Sequence, residues 1–418
     1  VPSPATTDGG TGLRGSAGIA VAMLVMNVAT YGFQVVSARL LGPAEYGAVA
    51  GLMAFLLVLS VPQLGLQATA ARRIAADGDH VEAVERSILR LSYRVALGIS
   101  LLALAATPLV VHLLRLDTAW PAVLVALAAG PLTVMGGQAG VLQGERRWRS
   151  LGLLYLAMGI PRLVLGCLFV AVSPTTTAAM LAVLVGLLAP IAVGTIALRR
   201  PRAGAEPDVD AAPARRVLAE IATSSVVLLA FFVLQNVDIL IARRTLDEHT
   251  AGLYAGGLIV TKAVLFLPQF VIVVLFPSMS AHASRRAALV RGLLVLAVTG
   301  AVCTLGGYLL SPVALVFVGG AEYAEVETRL WLFALLGILL ATLQLLVYSA
   351  LGRQSHRSTH LIWAGVAVIV VAGMFAGSLT GLATAVGAVD AVLVVVLTAL
   401  ALREVGRPDP ADEAPRLG

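Results

Sequence analysis

LLGPAEYGAVAGL at residues 40–52 is echoed by LDEHTAGLYAGGL at residues 246–258, with Tyr46 and Tyr254 in register at an offset of 208. VLQGERR around Gly144 and SALGRQS around Gly352 keep the same offset. Two landmarks in one register point to a duplicated chain. The halves are joined by RRPRAGAEPDVDAAPARR at 199–216, a stretch rich in Pro, Ala and charged residues that reads as a linker.

On either side of the landmarks the sequence is apolar. The chain has 418 residues, of which 59% are hydrophobic and only 12% charged, and its mean hydropathy is +0.94. A soluble domain needs about twice that charged fraction to cover its surface, so the composition excludes an ordinary soluble enzyme. Aromatic residues at 6% and 41 glycines suit helices that approach closely in lipid, where small residues supply the packing.

A bilayer crossing takes about 20 mainly apolar residues. That length predicts spans near 15–38, 47–70, 92–114, 120–142, 151–172, 176–198, 217–242, 251–278, 289–311, 326–350, 359–378 and 381–402. The segment around 311–319 and the break between Ser378 and Gly381 define these limits least sharply. The chain thus reads as an all-α polytopic membrane protein with about 12 transmembrane helices in two pseudo-symmetric six-helix bundles. Its parts are a polar tail at 1–14, bundles at 15–198 and 217–402, the linker at 199–216 and a tail at 403–418. The polar start, VPSPATTDGGTG, lacks a convincing cleavage site, so the first apolar run reads as a retained helix.

Basic residues orient the spans, because Lys and Arg favour the cytoplasmic side. With both termini inside, 22 basic residues fall in inner loops and tails and 5 in outer loops, while Arg162 and Lys262 lie within spans. The formal charge of +6 is therefore a topological signal and not a nucleic-acid footprint. RRIAADGDHVEAVERSILRLSYR at 72–94 reads as an inner-surface amphipathic helix. All loops are short, which leaves no soluble domain for catalysis. Cys167 and Cys303 lack redox or metal spacing, and none of the six histidines is spaced for a metal centre.

Ionisable groups within a membrane are costly, about 2.5–3.5 kcal/mol on insertion scales, and so are functional candidates. Lys262, the only lysine, lies deep in the eighth span, with Gln269 seven residues on along the same face. It can serve an anionic cargo as a point charge, or pair with a buried acid for assembly. Arg162, after Pro161 in the fifth span, can grip phosphate with its planar fork or bridge two helices. Asp238 and Asp390 are carboxylates in spans seven and twelve, suited to a coupling Na⁺ or H⁺, although Asp238 can also pair with Arg243 or Arg244. Neutral polar stripes add Asn27, Tyr31 and Gln34 on the first span, Gln63 and Gln67 on the second, and Gln344 and Tyr348 on the tenth. Such groups suit sugar hydroxyls or bridge helices for packing.

ARLLGPAEYGAVAGLMAFLLVLSVPQLGLQATAARRIA (38–75), GVLQGERRW (140–148), LQNVDILIARRTLDEHTAGLYAGG (234–257) and VLFPSMSAH (274–282) resemble the polysaccharide transporter family. These are lipid-linked oligosaccharide flippases of the multidrug/oligosaccharidyl-lipid/polysaccharide exporter superfamily. The resemblance implies a MATE-like V-shaped pair of bundles that moves an undecaprenyl-diphosphate glycan across a bacterial inner membrane by alternating access. It further implies membrane lipids, a glycan polymerase and glycosyltransferases as partners, no cofactor, and Na⁺ or H⁺ as candidate coupling ions. Some relatives hold a cation among helices seven, eleven and twelve, which suits Asp238 and Asp390, yet span eleven here offers no carboxylate. The competing expectation is a cation-coupled small-molecule exporter of the same superfamily.

Overall fold

In the computed structural model, residues 9–76, 81–199, 226–279, 285–351 and 356–405 are described; for 9–17, 266–279, 285–288, 350, 351, 356, 404 and 405 only the backbone is. Every described element is helical. The first half runs α1 (Gly9–Leu59), α2 (Val61–Ala76), α3 (Val81–Ala105), α4 (Thr107–Leu114), α5 (Trp120–Gly144), α6 (Trp148–Val172), α7 (Thr176–Gly186) and α8 (Leu188–Leu198). The second runs α9 (Val226–Leu234), α10 (Val237–Thr245), α11 (Glu248–Met279), α12 (Arg285–Leu309), α13 (Ser311–Val318), a 3₁₀ turn (Ala321–Arg329), α14 (Leu330–Leu351), α15 (His356–Met374) and α16 (Leu379–Val405). The chain is a multi-pass membrane protein.

Among the described residues nine helical stretches are long and apolar enough to cross a bilayer, or ten if the bent pair α9–α10 counts as one span. The twelve expected segments correspond to fewer continuous stretches among the described residues. The first stretch, Gly18–Ala76, has 59 residues and holds the first two expected spans. Part of α11, the eighth, lies outside the described side chains. The segment around 311–319 is a short helix of its own, and the expected break near Ser378 is real, between Met374 and Leu379. The 72–94 segment falls on two described elements, with 77–80 outside the described residues. α2 ends at Ala76 and α3 starts at Val81, so Arg86, Arg90 and Arg94 lie on the first turns of a helix that continues into an apolar run.

The chain divides into two compact units. Unit 1 comprises Val1–Leu41 and Ala48–Ser225; unit 2 comprises Gly42–Gly47 and Val226–Gly418. The changeover is written in the sequence. Gly42 interrupts α1 with φ 72° and ψ 173°, a conformation that costs little only without a Cβ. Pro43 follows, where a missing N–H is tolerated at a restarting helix. Within unit 2 the short insert packs tightly: a Cβ on Gly47 would stand 3.1 Å from Gly252 Cα, and one on Gly252 would collide with the Pro43 carbonyl.

Unit 1 is built round α5, which packs on α2, α3, α7 and α8. Its face reads Gly136, Gly140, Gly144, one residue per turn, and α2 lies directly on it. In unit 2, α14 takes the central place, packed on α11, α12 and α16. Many leucines and valines on the outer faces of α3, α12 and α16 are exposed, among them Leu102, Leu294 and Val395, which suits contact with lipid tails.

Candidate functional site

The seventh span is broken. α9 and α10 meet at about 40° around Gln235 and Asn236, where Asn236 Nδ2 donates to the Phe232 carbonyl at 2.8 Å. A helix start inside an apolar bundle exposes unpaired N–H groups, and the partial positive charge there favours an anion. Asp238 occupies that first turn, and its Oδ1 accepts the Ile239 N–H at 2.8 Å. Its second oxygen, Oδ2, accepts the Tyr254 hydroxyl at 2.9 Å. Tyr254 itself is fully buried on α11, with its ring edge-on to Phe333 at 5.3 Å.

A second carboxylate lies on α16, which packs on α10 and α11. Asp390 on α16 is 0% exposed, and among the described residues neither of its oxygens has a hydrogen-bond partner. Lys262 follows Tyr254 by about two helical turns on α11, and side chains in a helix lean back toward its N-terminus. The residue is half-buried. Asp238, Asp390 and Lys262 thus lie on α10, α16 and α11, three helices of unit 2 that pack on one another. Two carboxylates in one dry bundle need a counter-charge, because an unpaired buried ion costs several kcal/mol. Asp238 makes no ion pair with Arg243 or Arg244 among the described residues. Arg243 Nη1 instead donates to the Ala44 carbonyl at 3.4 Å.

Arg162 belongs to the other unit and lies within its interior, 5% exposed. Gly159 and Gly166 flank it on α6, and each presses on α1, at Met26 and Phe33 respectively. That close approach sets the guanidinium over the Phe33 ring at 5.0 Å and brings Nη2 to the Met53 sulfur at 3.3 Å. Nε has no partner, and no carboxylate pairs with the group among the described residues. Arg162→Met, which keeps the length and removes the charge, is expected to fold with an unchanged or higher melting temperature, since replacing buried ions by apolar groups is often neutral or stabilising. Arg162→Ala leaves a cavity and is expected to melt several degrees lower. Thermal unfolding in detergent separates the two, and equal losses would mean that the charge itself holds the bundle.

The remaining candidates are scattered. Asn27 and Gln34 are half-buried on α1, and Gln344 Nε2 on α14 donates to the Tyr348 hydroxyl at 3.4 Å. The Gln269 side chain lies outside the described residues. Sequence reasoning missed the role of Tyr254 beside Asp238, although it marked that tyrosine as a repeat landmark. It also missed the link from Gln67 Nε2 to the Tyr155 hydroxyl, 2.9 Å, and to Gln143 Oε1, 3.1 Å. Among the described residues no group of three or more His, Cys, Asp or Glu could hold a metal ion.

A family model described as "Polysaccharide biosynthesis protein" matches residues 13–283. No curated protein matches the sequence. Among solved structures, the fold is similar to the inward-facing conformation of a multidrug resistance MATE family transporter of the MOP superfamily, with TM-score 0.72 at 14% identity over 92% of this chain and 98% of that one. It is also similar to MATE in the bent conformation, with TM-score 0.59 at 16% identity over 96% and 98%. A third similar structure is the eukaryotic MATE transporter AtDTX14, with TM-score 0.56 at 15% identity over 94% and 99%. At these identities the likeness is one of fold.

Proposed function

Because this chain belongs to the polysaccharide biosynthesis protein family and folds like the MATE transporters, we propose that it carries a lipid-linked oligosaccharide across the membrane by alternating access. The cargo is an undecaprenyl-diphosphate glycan, the membrane is the bacterial inner membrane, and both termini face the cytoplasm. The observation that carries this reading is Lys262, a cation set about 21 Å into α11 at 1.5 Å per residue. A charge so placed is kept for a pathway or a partner, and a diphosphate is a dianionic cargo for it. Arg162 supplies a second cation, in the other unit. Half-buried Asn27, Gln34 and Gln344, with Gln269, provide amides for sugar hydroxyls. Glycosyltransferases and a glycan polymerase make and consume such a cargo.

A coupling cation fits unit 2. Asp390 offers two buried oxygens without partners, and Asp238 offers a carboxylate whose direction Tyr254 and Ile239 fix. Oxygen donors of this kind suit a hard cation, and with only two carboxylates the set fits Na⁺ or H⁺ better than a divalent ion. A cation moving down its transmembrane gradient through this site would supply the drive. Asp238 and Asp390 hold the charge, while Tyr254 keeps Asp238 aligned.

Native mass spectrometry tests the cargo. The purified protein is expected to retain undecaprenyl-diphosphate oligosaccharide, and Lys262→Ala to weaken that complex at least tenfold. Equal retention of a neutral lipid of the same chain length would overturn the reading. The carboxylate pair also favours a second reading, a cation-coupled exporter of small cationic molecules, in which the acids rather than Lys262 meet the cargo.

A further inference from the structure

α3 packs on α2 and α5, and the residues it buries are Glu85, Ile88, Leu91, Ser92, Ala96 and Ala103. Its opposite face is open. Arg90, Tyr93, Arg94, Leu97, Leu101 and Leu104 are exposed there, and nothing lies within 4 Å of a Cβ placed on Gly98. At 3.6 residues per turn these six side chains form one stripe, basic and aromatic over its first turn and wholly apolar over the next two. Arg90 and Arg94 stand one turn, about 6 Å, apart along the axis. Among the described residues neither makes an ion pair. Glu82, the acid on this side, lies two turns before Arg90, and Arg86 stands between them with its Nε donating to the Glu82 carbonyl at 3.4 Å.

We propose that this stripe of α3 is a site for one anionic phospholipid of the surrounding bilayer, with its phosphate held between Arg90 and Arg94 and an acyl chain laid along Leu97, Leu101 and Leu104. A guanidinium donates in parallel to two phosphate oxygens, so two forks one turn apart grip a single head group. Tyr93, between them in sequence, has the apolar ring and polar tip that suit the head-group boundary. The three leucines cover about 10 Å along the axis, the upper part of one chain. A zwitterionic lipid offers the same chain, but its own cation competes for the phosphate, so the arginine pair selects for net charge. In the orientation proposed above, these turns meet the cytoplasmic leaflet. α12 supplies the contrast. Exposed Arg291 precedes exposed Leu294, Val298 and Val302, yet the positions one turn from it, Ala287, Ala288, Leu294 and Val295, hold neither an arginine nor an aromatic ring. A purely topological signal needs basic residues in the right loop; a lipid site needs these two at this spacing on the open face.

The test uses the full-length protein in neutral detergent, titrated with palmitoyl-oleoyl phosphatidylglycerol or with phosphatidylcholine of the same chains, and counts bound lipid by native mass spectrometry. The wild type is expected to retain phosphatidylglycerol in preference to phosphatidylcholine. Arg90→Gln and Arg94→Gln, singly and together, are expected to lower that preference roughly fivefold per arginine removed. Because both side chains are exposed, the melting temperature in lipid-free detergent is expected to stay unchanged, and the single variants keep the test intact if the double one folds poorly. Arg90→Lys with Arg94→Lys retains both charges and is expected to keep most of the preference. Arg291→Gln is the control, expected to remain within about twofold of wild type, since a lone exposed cation contributes little selectivity. Equal retention of the two lipids by the wild type would overturn the proposal, as would an unchanged preference in the double Gln variant. An equal loss in Arg291→Gln would also overturn it, by making the effect one of general surface charge. The assay contains no glycolipid, so its outcome is independent of the cargo assignment.

Discussion

Gly140→Leu is expected to yield no monodisperse protein after detergent extraction, and Gly136→Leu to behave alike. A Cβ on Gly140 would stand 2.5 Å from the Gln67 carbonyl oxygen and 2.6 Å from Ala70 Cβ. One on Gly136 would stand 2.5 Å from the Gln63 carbonyl oxygen and 2.6 Å from Gln63 Cγ. Gly144 repeats the pattern against Ile74 Cβ at 2.6 Å. The obstacles are mainly backbone and Cβ atoms, which cannot turn aside as a side-chain end can. Only separation of α2 from α5 relieves the clash. Overpacking costs about 1–3 kcal/mol where side chains can yield, and here the cost is expected to exceed that range, against a total stability of about 5–15 kcal/mol. Within lipid no hydrophobic collapse compensates for lost van der Waals contact. Gly98→Leu is the control, because nothing lies within 4 Å of a Cβ there, and it is expected to extract and melt like wild type. Size-exclusion profiles and melting curves measure both, and a wild-type melting curve for Gly140→Leu would refute the packing described.

Asp390→Asn is expected to do the reverse. It should keep or raise the melting temperature while transport falls at least tenfold. Asp390 is buried with both oxygens lacking hydrogen-bond partners, so its charge is a burden on folding. The amide keeps the shape and removes the ionisable carboxyl from the buried bundle. Burying a charge without hydrogen bonds is costly, so a neutral side chain of the same shape is expected to be at least as stable. A gain of stability with a loss of function is the usual sign that a strained group is kept for its role. A fall in melting temperature with transport intact would make Asp390 structural.

The helical class and the apolar character of the chain could be read from the sequence because hydropathy and small-residue spacing are local properties. The break at Asn236 could not. QNVD interrupts the apolar run, but hydropathy averages over a window and returns one span at 217–242, whereas the polar cluster ends one helix and starts the next. Asp238, Asp390 and Lys262 were recognisable singly, as charges where charges are costly. That Asp238 and Asp390 lie on neighbouring helices was not, since α10 and α16 are far apart in sequence and only tertiary packing joins them. Tyr254 shows the gap most clearly. It stood out as a repeat landmark, yet its partnership with Asp238 crosses a turn between two helices. Arg162 was placed in mid-span correctly, but its neighbours Phe33 and Met53 come from α1, brought close by Gly159 and Gly166. The glycines were visible, and the partner they admit was not.

The most direct test of the transport claim is movement of a fluorescent undecaprenyl-diphosphate oligosaccharide between leaflets of liposomes containing this protein, with an imposed Na⁺ or H⁺ gradient and Lys262→Ala in parallel. Faster translocation with the protein, lost in Lys262→Ala and responsive to the gradient, is the predicted result. No translocation of the glycolipid, together with gradient-driven movement of small cationic dyes, would contradict it.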